Sequence, residues 1–162
     1  MKTLILMRHG KSSWDLPVSD HDRSLMQRGI IDAEAVAAYF KKEKIAIEQV
    51  FSSSANRALH TAIIAMNTLH IPLSKLQVTE QLYDFSGEMV FQFIKELTDN
   101  IQTVLIFGHN NAFTSLVNSL GDKPIGNLPT AGLVHIAFDE EKWQNISKGI
   151  TKNTVFPKQF RK

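Results

Sequence analysis

Apolar residues along the chain fall into short, nearly continuous runs separated by longer stretches with helical spacing. Branched apolar residues dominate five runs, as expected for buried strands; these are residues 3–7, 49–52, 76–79, 103–107 and 133–138. A helical repeat of apolar positions occupies four stretches between them: 30–40, 58–66, 88–97 and 112–120. Strands that alternate with helices predict a three-layer α/β/α sandwich with a mostly parallel central sheet.

The last part of the sequence, residues 143–162, has a less regular pattern. Pro157 and the Lys148-Gly149 pair favour a loop or an edge element there. No internal repeat, low-complexity tract or glycine-rich linker divides the chain. We therefore expect a single domain over residues 1–162, which is long enough to bury one core.

Composition narrows the class of protein. Hydrophobic residues make up 43% of the chain and charged residues 21%, as is typical of soluble globular proteins. The absence of cysteine excludes disulfides, catalytic thiols and thiolate metal sites. The first apolar run stops at Arg8, short of a signal-peptide core of about 7–15 residues, and no run approaches the roughly 20 residues of a membrane span. These patterns predict a soluble, cytoplasmic protein.

Charge is distributed unevenly around the net value of +2. The last fifteen residues contain no acid and five cations: Lys148, Lys152, Lys158, Arg161 and Lys162. Such a tail is most often a solvated end of the chain. The remaining chain is net acidic and lacks an aromatic-rich basic face, which argues against a nucleic-acid partner.

Three predicted strands are followed by polar residues suited to phosphate chemistry. Arg8, His9 and Gly10 follow the first run, Arg57 follows the second, and His109 follows the fourth. Ligands of open parallel sheets bind beyond the carboxyl ends of the strands. These side chains are therefore expected to meet in one pocket.

The residue types in that pocket suggest phosphoryl transfer through a histidine. An imidazole nitrogen can accept a phosphoryl group, and guanidinium groups can grip its oxygens. Two nearby arginines, Arg8 and Arg57, would disfavour a protonated His9 and so keep one ring nitrogen free. The other ring nitrogen needs a hydrogen bond, for which a backbone carbonyl is the expected partner.

These residues and their neighbours resemble the histidine phosphatase superfamily, which is phosphoglycerate mutase-like, and within it the SixA-type phosphohistidine phosphatases. The resemblance rests on several separated motifs in order: Leu4–Trp14 with its Arg-His-Gly motif, Ser19–Arg23, Gln27–Gly29, Ser52–Ala62, Gly108–Asn110 and Asn127–Gly132.

The resemblance implies a role for each matching residue. His9 would be the phosphorylated residue, Arg8 and Arg57 the phosphate ligands, and His109 the second histidine of the pocket. Arg23 matches an arginine near the entrance that would help to bind substrate. No cofactor is implied. A metal is not expected either, because the usual paired-histidine spacing of metal ligands is absent.

The identity of a proton donor stays open. Residues 82–87 resemble a Leu-x-Glu-x-x-Gly pattern of relatives that act on phosphate esters, but Asp84 stands where they have glutamate. Glu80 and Asp20 are alternatives, and a solvated loop carboxylate with no catalytic role is another. A weak acid favours phosphoramidate substrates, because an imidazole leaves more readily than an alkoxide.

The leading hypothesis is a metal-independent hydrolase acting on protein phosphohistidine. The short chain shows no insertion for a lid, so the pocket should admit a protein-borne group. Trp14 and Phe85 are candidates to wall its entrance, although aromatic residues more often serve packing. Alternatives are a small-molecule phosphomonoesterase or mutase, whose partner would be a small phosphate ester, and a phosphate-binding module without catalysis. Oligomeric state is not predicted.

Overall fold

A six-stranded sheet runs through the middle of the computed structural model, which describes residues 1–161. Its strands are β1 (Lys2–Arg8), β2 (Gln49–Ser53), β3 (Leu76–Thr79), β4 (Thr103–Gly108), β5 (Leu133–Phe138) and β6 (Ile150–Val155). They lie side by side in the order β3-β2-β4-β1-β5-β6. All five strands predicted from the apolar runs are present.

Four neighbouring strands of this sheet are parallel. β3 pairs with β2, β2 with β4, and β4 with β1, each in parallel register, while β5 and β6 are added antiparallel at one side. The prediction of a mostly parallel sheet is therefore confirmed. A loop or an edge element is expected for residues 143–162. The structure has an edge strand there, β6, which has only β5 as a neighbour.

Helices cover both faces of the sheet. They are α1 (Gln27–Phe40), α2 (Asn56–Leu69), α3 (Glu88–Lys95) and α4 (Ala112–Leu120). Alternate residues of β1 point to opposite faces: Ile5 and Met7 pack in the core formed with α1 and α2, whereas Leu4 and Leu6 pack in the core formed with α3 and α4. The three-layer α/β/α prediction is confirmed, and its reason is the period-two alternation of strand side chains.

Within residues 1–161, every helix is too short or too polar to traverse a lipid bilayer.

The basic carboxyl-terminal tail packs partly on α1. Arg161 donates a hydrogen bond of 2.6 Å to Asp32 Oδ2, and the Phe160 ring lies 5.4 Å from the Tyr39 ring. Lys162, the last of the five tail cations, lies outside the described residues. The tail therefore has a structural role at Arg161.

Two glycines allow the loop after β1 to lie directly against the start of α1. A Cβ atom on Gly10 would lie 2.7 Å from the Gly29 carbonyl oxygen, and a Cβ atom on Gly29 would overlap the Lys11 carbonyl oxygen. The backbone nitrogen of Met26 donates to that same Lys11 oxygen at 2.8 Å. This close approach fixes the loop that carries His9 to the core helix α1.

Substitution of Gly29 tests this constraint. Gly29→Ala forces a methyl group against rigid backbone and should lower the free energy of unfolding by about 1–3 kcal/mol. Gly126→Ala is the matched control, because a Cβ atom there meets nothing within 4 Å; its stability should be unchanged or slightly raised. Chemical denaturation of both variants measures the difference, and equal stabilities would refute the close-packing argument.

Candidate active site

The carboxyl ends of β1, β2 and β4 meet at one edge of the sheet, and a cleft of about 490 Å³ opens there. His9 follows β1, Arg57 lies in the first turn of α2 after β2, and His109 follows β4. Parallel strands bring these residues to the same edge, although up to a hundred positions separate them in the sequence.

His9 lies at the inner wall of the cleft with only 6% of its surface exposed. Its Nδ1 atom is 2.7 Å from the Gly10 carbonyl oxygen. Because a carbonyl oxygen can only accept, Nδ1 carries the ring proton. The Nε2 atom therefore has a free lone pair, which accepts a hydrogen bond from Arg57 Nε at 3.3 Å. A backbone carbonyl is the partner expected from the sequence, and Gly10 supplies it.

Burial and neighbouring cations keep the His9 ring neutral. Burial is the largest effect and lowers the pKa of His9, and the charges of Arg57, Arg8 and Arg23 lower it further. The hydrogen bond to the Gly10 carbonyl acts in the opposite direction, but the pKa still falls to about 3. At neutral pH the side chain is an uncharged imidazole with its lone pair on Nε2.

Thr61 connects the loop that carries His9 to the helix that carries Arg57. Its hydroxyl accepts a hydrogen bond from the Gly10 backbone nitrogen at 2.9 Å and donates one to the Arg57 carbonyl oxygen at 2.7 Å. The sequence analysis does not identify Thr61. Its position four residues after Arg57, one helical turn along α2, is the signal that could have found it.

The buried Arg57 guanidinium is held by Asp20. Arg57 Nη1 donates to the Asp20 carbonyl oxygen at 2.6 Å, and Nη2 donates to the Asp20 carboxylate at 3.0 Å. The Tyr83 hydroxyl donates to the same carboxylate oxygen at 2.6 Å, and Arg23 Nε donates to the other oxygen at 3.3 Å. Asp20 therefore joins two arginines of the cleft, Arg23 and Arg57, to one loop.

Asp20 is ionised in this setting. Partial burial alone would raise its pKa, but the hydrogen bonds from Tyr83 and Arg57, together with the charges of Arg57 and Arg23, lower the pKa to about 2. A carboxyl group with that pKa holds no proton at neutral pH. Its role in the structure is that of an anion between guanidinium groups.

Arg8 reaches the cleft from the end of β1. Its Nη1 atom donates to the Leu128 carbonyl oxygen at 2.8 Å. The buried Nε atom has no hydrogen-bond partner within residues 1–161. Burial, followed by the charge of Arg57, lowers the pKa of Arg8. A guanidinium with an unused donor beside another cation favours binding of an oxyanion.

The His109 ring lies near the His9 ring, behind the cleft. The two ring centroids are 5.2 Å apart, and His109 is fully buried. Its Nε2 atom is hydrogen-bonded to the Ser53 hydroxyl at 2.8 Å, while Nδ1 has no partner in the described part of the chain. Burial, then the nearby His9 and Arg57, lower the pKa of His109 to about 2. His109 is therefore neutral as well.

The three candidate acids lie in different places. Asp84 accepts four hydrogen bonds at the start of α3, from the backbone nitrogens of Ser86, Gly87 and Val90 and from the Ser86 hydroxyl, at 3.0–3.1 Å. These four hydrogen bonds hold the Asp84 carboxylate at the start of α3. Glu80 is exposed and does not line the cleft. Asp20 is the one of the three that the fold brings to Arg57 and His9.

Side chains that the sequence analysis does not single out complete the site. Ser53 binds His109, Thr61 binds Gly10, and Tyr83 binds Asp20.

Among residues 1–161, no group of three or more His, Asp or Glu side chains is arranged to hold a metal ion. Chemically, the cleft offers one free imidazole nitrogen surrounded by guanidinium donors, which suits attack on a tetrahedral oxyanion.

Sequence comparison finds relatives of this chain. A protein of Mycobacterium leprae is 29% identical over 153 residues, which cover 86% of this chain and 91% of the relative. The 2,3-bisphosphoglycerate-dependent phosphoglycerate mutase 2 of Latilactobacillus sakei is 35% identical over 81 residues, covering 46% of this chain but only 35% of the mutase.

Solved structures share the fold. The protein histidine phosphatase SixA complexed with tungstate is similar over 98% of this chain and 99% of its own, with a TM-score of 0.83 and 24% identity. A mycobacterial glucosyl-3-phosphoglycerate phosphatase is similar over 94% of this chain and 98% of its own, with a TM-score of 0.71 and 13% identity. The model of the histidine phosphatase superfamily, branch 1, matches residues 4–89, and the chain belongs to that superfamily.

Proposed function

We propose that this protein is a phosphatase that transfers a phosphoryl group to His9 and then to water, with protein-borne phosphohistidine as its substrate. The observation that carries the proposal is the lone pair on His9 Nε2, held 3.3 Å from Arg57 Nε in a cleft that Arg8 also lines. Membership of the histidine phosphatase superfamily supports phosphatase chemistry. The similar SixA structure, described as a protein histidine phosphatase, supports the choice of substrate.

In the first step, His9 Nε2 attacks the phosphorus atom of the substrate. A bond forms between Nε2 and phosphorus, and the bond from phosphorus to the substrate imidazole breaks. The electron pair stays on the substrate nitrogen, which takes a proton from water. In the second step, a water oxygen forms a bond to the phosphorus atom of phosphorylated His9 while the bond from phosphorus to Nε2 breaks. The electron pair returns to Nε2 and restores the neutral imidazole, a proton of the attacking water neutralises the hydroxide left by the first step, and inorganic phosphate leaves.

Guanidinium groups supply the charge that this transfer needs. Arg57 Nε–H donates a hydrogen bond to His9 Nε2. Once phosphorus is attached to Nε2, the same N–H would donate to a phosphate oxygen instead. Arg8 offers its unpaired Nε–H in the same cleft. These donors stabilise charge on the equatorial oxygens of the transferred group. The proposed reaction therefore uses side chains of the protein and water.

The surroundings of the candidate acids favour a phosphoramidate over a phosphate ester. An alkoxide leaving group needs a proton, yet Asp84 is bonded to α3 and Asp20 is ionised between arginines. Transfer from a phosphohistidine to His9 exchanges one phosphorus–nitrogen bond for another. The leaving group and the nucleophile are then both imidazoles, and the leaving group depends less on a proton donor than an alkoxide does.

A phosphomonoesterase or mutase is the second candidate, favoured by the 35% identity to a phosphoglycerate mutase over 81 residues. That similarity covers 35% of the mutase. The choice between the two functions depends on how well the cleft can protonate an ester leaving group.

Replacement of the nucleophile tests the covalent route. His9→Ala should abolish turnover of phosphohistidine peptides, with at least a thousandfold loss, while tungstate binding to the arginines remains measurable. His70→Asn, an exposed position at the far end of α2 in left-handed conformation, is the control and should keep full activity.

The same samples separate the two substrate classes. We expect phosphohistidine peptides to be hydrolysed faster than a panel of phosphate esters, and acid-labile phosphate to map to His9 by mass spectrometry. Residual turnover by His9→Ala would contradict the covalent scheme, and a preference for esters would contradict the proposed substrate.

Substitution of Asp20 separates a positioning role from an acid role. Asp20→Asn keeps the shape but removes the charge that holds Arg57, so kcat/KM should fall about ten- to hundredfold. The loss should be equal for phosphohistidine and ester substrates, with the pH profile unchanged. A loss confined to esters, accompanied by a changed pH profile, would show instead that Asp20 donates a proton.

The charge state of the two histidines can be measured directly. In phosphate-free buffer, nitrogen NMR should show neutral His9 and His109 rings from pH 8 down to pH 5, whereas the urea-unfolded chain should titrate near pH 6.5. Because both pKa values are lower in the folded state, the two rings should lower stability as pH falls from about 6.5 towards 3. Either ring titrating above pH 6 in the folded protein would contradict this electrostatic account.

A further inference from the structure

The segment between His9 and α1 exposes three large apolar side chains. Trp14 is 77% exposed, Leu16 60% and Val18 45%, and all five residues from Trp14 to Val18 are exposed. Single exposed apolar residues are common on protein surfaces, but a cluster beside a functional cleft marks a contact surface.

This cluster is continuous with the site that contains His9. Trp14 itself lines the cleft, together with Met26 and Phe85, which are 40% and 46% exposed. The Phe85 ring is 5.0 Å from the His109 ring. We use the name rim for these five residues: Trp14, Leu16, Val18, Met26 and Phe85. Three of the five, Trp14, Met26 and Phe85, line the cleft that contains His9.

Trp14 packs against an arginine of the cleft. The Arg23 guanidinium lies 3.5 Å from the centre of the Trp14 ring, a cation–π stack. Arg23 in turn donates to Asp20, which holds Arg57. The ring therefore costs little conformational entropy on binding, which is a property of aromatic anchors at interfaces.

Charge and size together indicate the kind of partner. Four cationic residues line the cleft (Arg8, Lys11, Arg23 and Arg57) against two acidic residues (Asp15 and Asp20), so the interior is complementary to a phosphoryl dianion. Small-molecule sites enclose most of their ligand in a concavity. Leu16 and Val18 lie outside the lining of the cleft, and so extend the apolar surface beyond what a small ligand covers.

We propose, on the basis of the function proposed above, that the rim docks a folded protein with apolar side chains around its phosphohistidine. The guanidinium groups bind the phosphoryl group, and the rim selects the surface that surrounds it. Affinity for such a partner comes from burial of apolar area on both sides, at about 25 cal/mol per Å² before the costs of association.

A two-by-two experiment tests this docking. The probes are two versions of one small helical protein, each phosphorylated on a single surface histidine that is flanked either by leucines or by serines. The enzymes are the wild type, Leu16→Ser and the matched control Leu73→Ser. Leu73 is 56% exposed and precedes the amino end of β3, whereas the cleft lies at the carboxyl ends of the strands. Inorganic phosphoramidate and p-nitrophenyl phosphate serve as small substrates.

We expect the wild type and Leu73→Ser to have a kcat/KM at least tenfold higher for the leucine-flanked protein than for the serine-flanked one. Leu16→Ser should lose most of that preference, through KM, and its ratio of protein to phosphoramidate turnover should fall in step. Thermal melting verifies that each variant is folded.

Other outcomes overturn the docking proposal in distinguishable ways. Equal preference in the wild type and Leu16→Ser, with phosphoramidate still hydrolysed, refutes the rim but leaves the phosphatase proposal intact. A loss by Leu16→Ser that is confined to p-nitrophenyl phosphate identifies the rim as a site for small aryl phosphates. Failure of the wild type to hydrolyse any phosphoramidate substrate refutes the proposed function itself, and the docking with it.

Discussion

The hydrogen bond between His9 Nδ1 and the Gly10 carbonyl oxygen is the interaction on which the rest of the site depends. It fixes the ring proton on Nδ1 and leaves the lone pair on Nε2, facing Arg57. Gly10 is held in this position because its backbone nitrogen donates a hydrogen bond to the Thr61 hydroxyl. In addition, Gly29 has no Cβ atom, so the backbones of Gly10 and Gly29 can lie in contact. The His9 imidazole is thus oriented by backbone geometry that packing against α1 and α2 enforces.

The same site has to tolerate cations placed close together. Burial, and then the charges of Arg57 and Arg8, lower the pKa of His9. The Nε2 lone pair is thereby kept free, but the two cations repel each other. Asp20 offsets that repulsion, since its carboxylate and carbonyl oxygens accept from Arg57 and its second carboxylate oxygen accepts from Arg23. A bound phosphoryl group would offset it further, so the electrostatics of the empty cleft favour an oxyanion.

Local pattern predicts most of the fold and much less of the site. Nearly continuous apolar runs locate five strands, and helical spacing locates four helices, because burial on both faces of a strand and on one face of a helix imposes those patterns directly. The β6 strand is not predicted with certainty, since edge strands carry a weak apolar signal. Thr61 and Tyr83 escape prediction because each acts through a contact across many residues, 51 positions for Gly10–Thr61 and 63 for Tyr83–Asp20. Asp84 fits a motif, yet its carboxylate binds the start of α3, which spacing alone cannot reveal.

The surroundings of the candidate acids bear on the choice of leaving group. A carboxylic acid that protonates an alkoxide must keep its proton at neutral pH, which requires an environment that raises its pKa. Around Asp20 burial acts in that direction, but the hydrogen bonds from Tyr83 and Arg57 and the charges of Arg57 and Arg23 outweigh it and lower the pKa to about 2. Under the proposed function, the leaving group is an imidazole on a protein surface, which needs less protonation than an alkoxide. In the proposed docking, the apolar residues beside the arginines bind the surface around that imidazole.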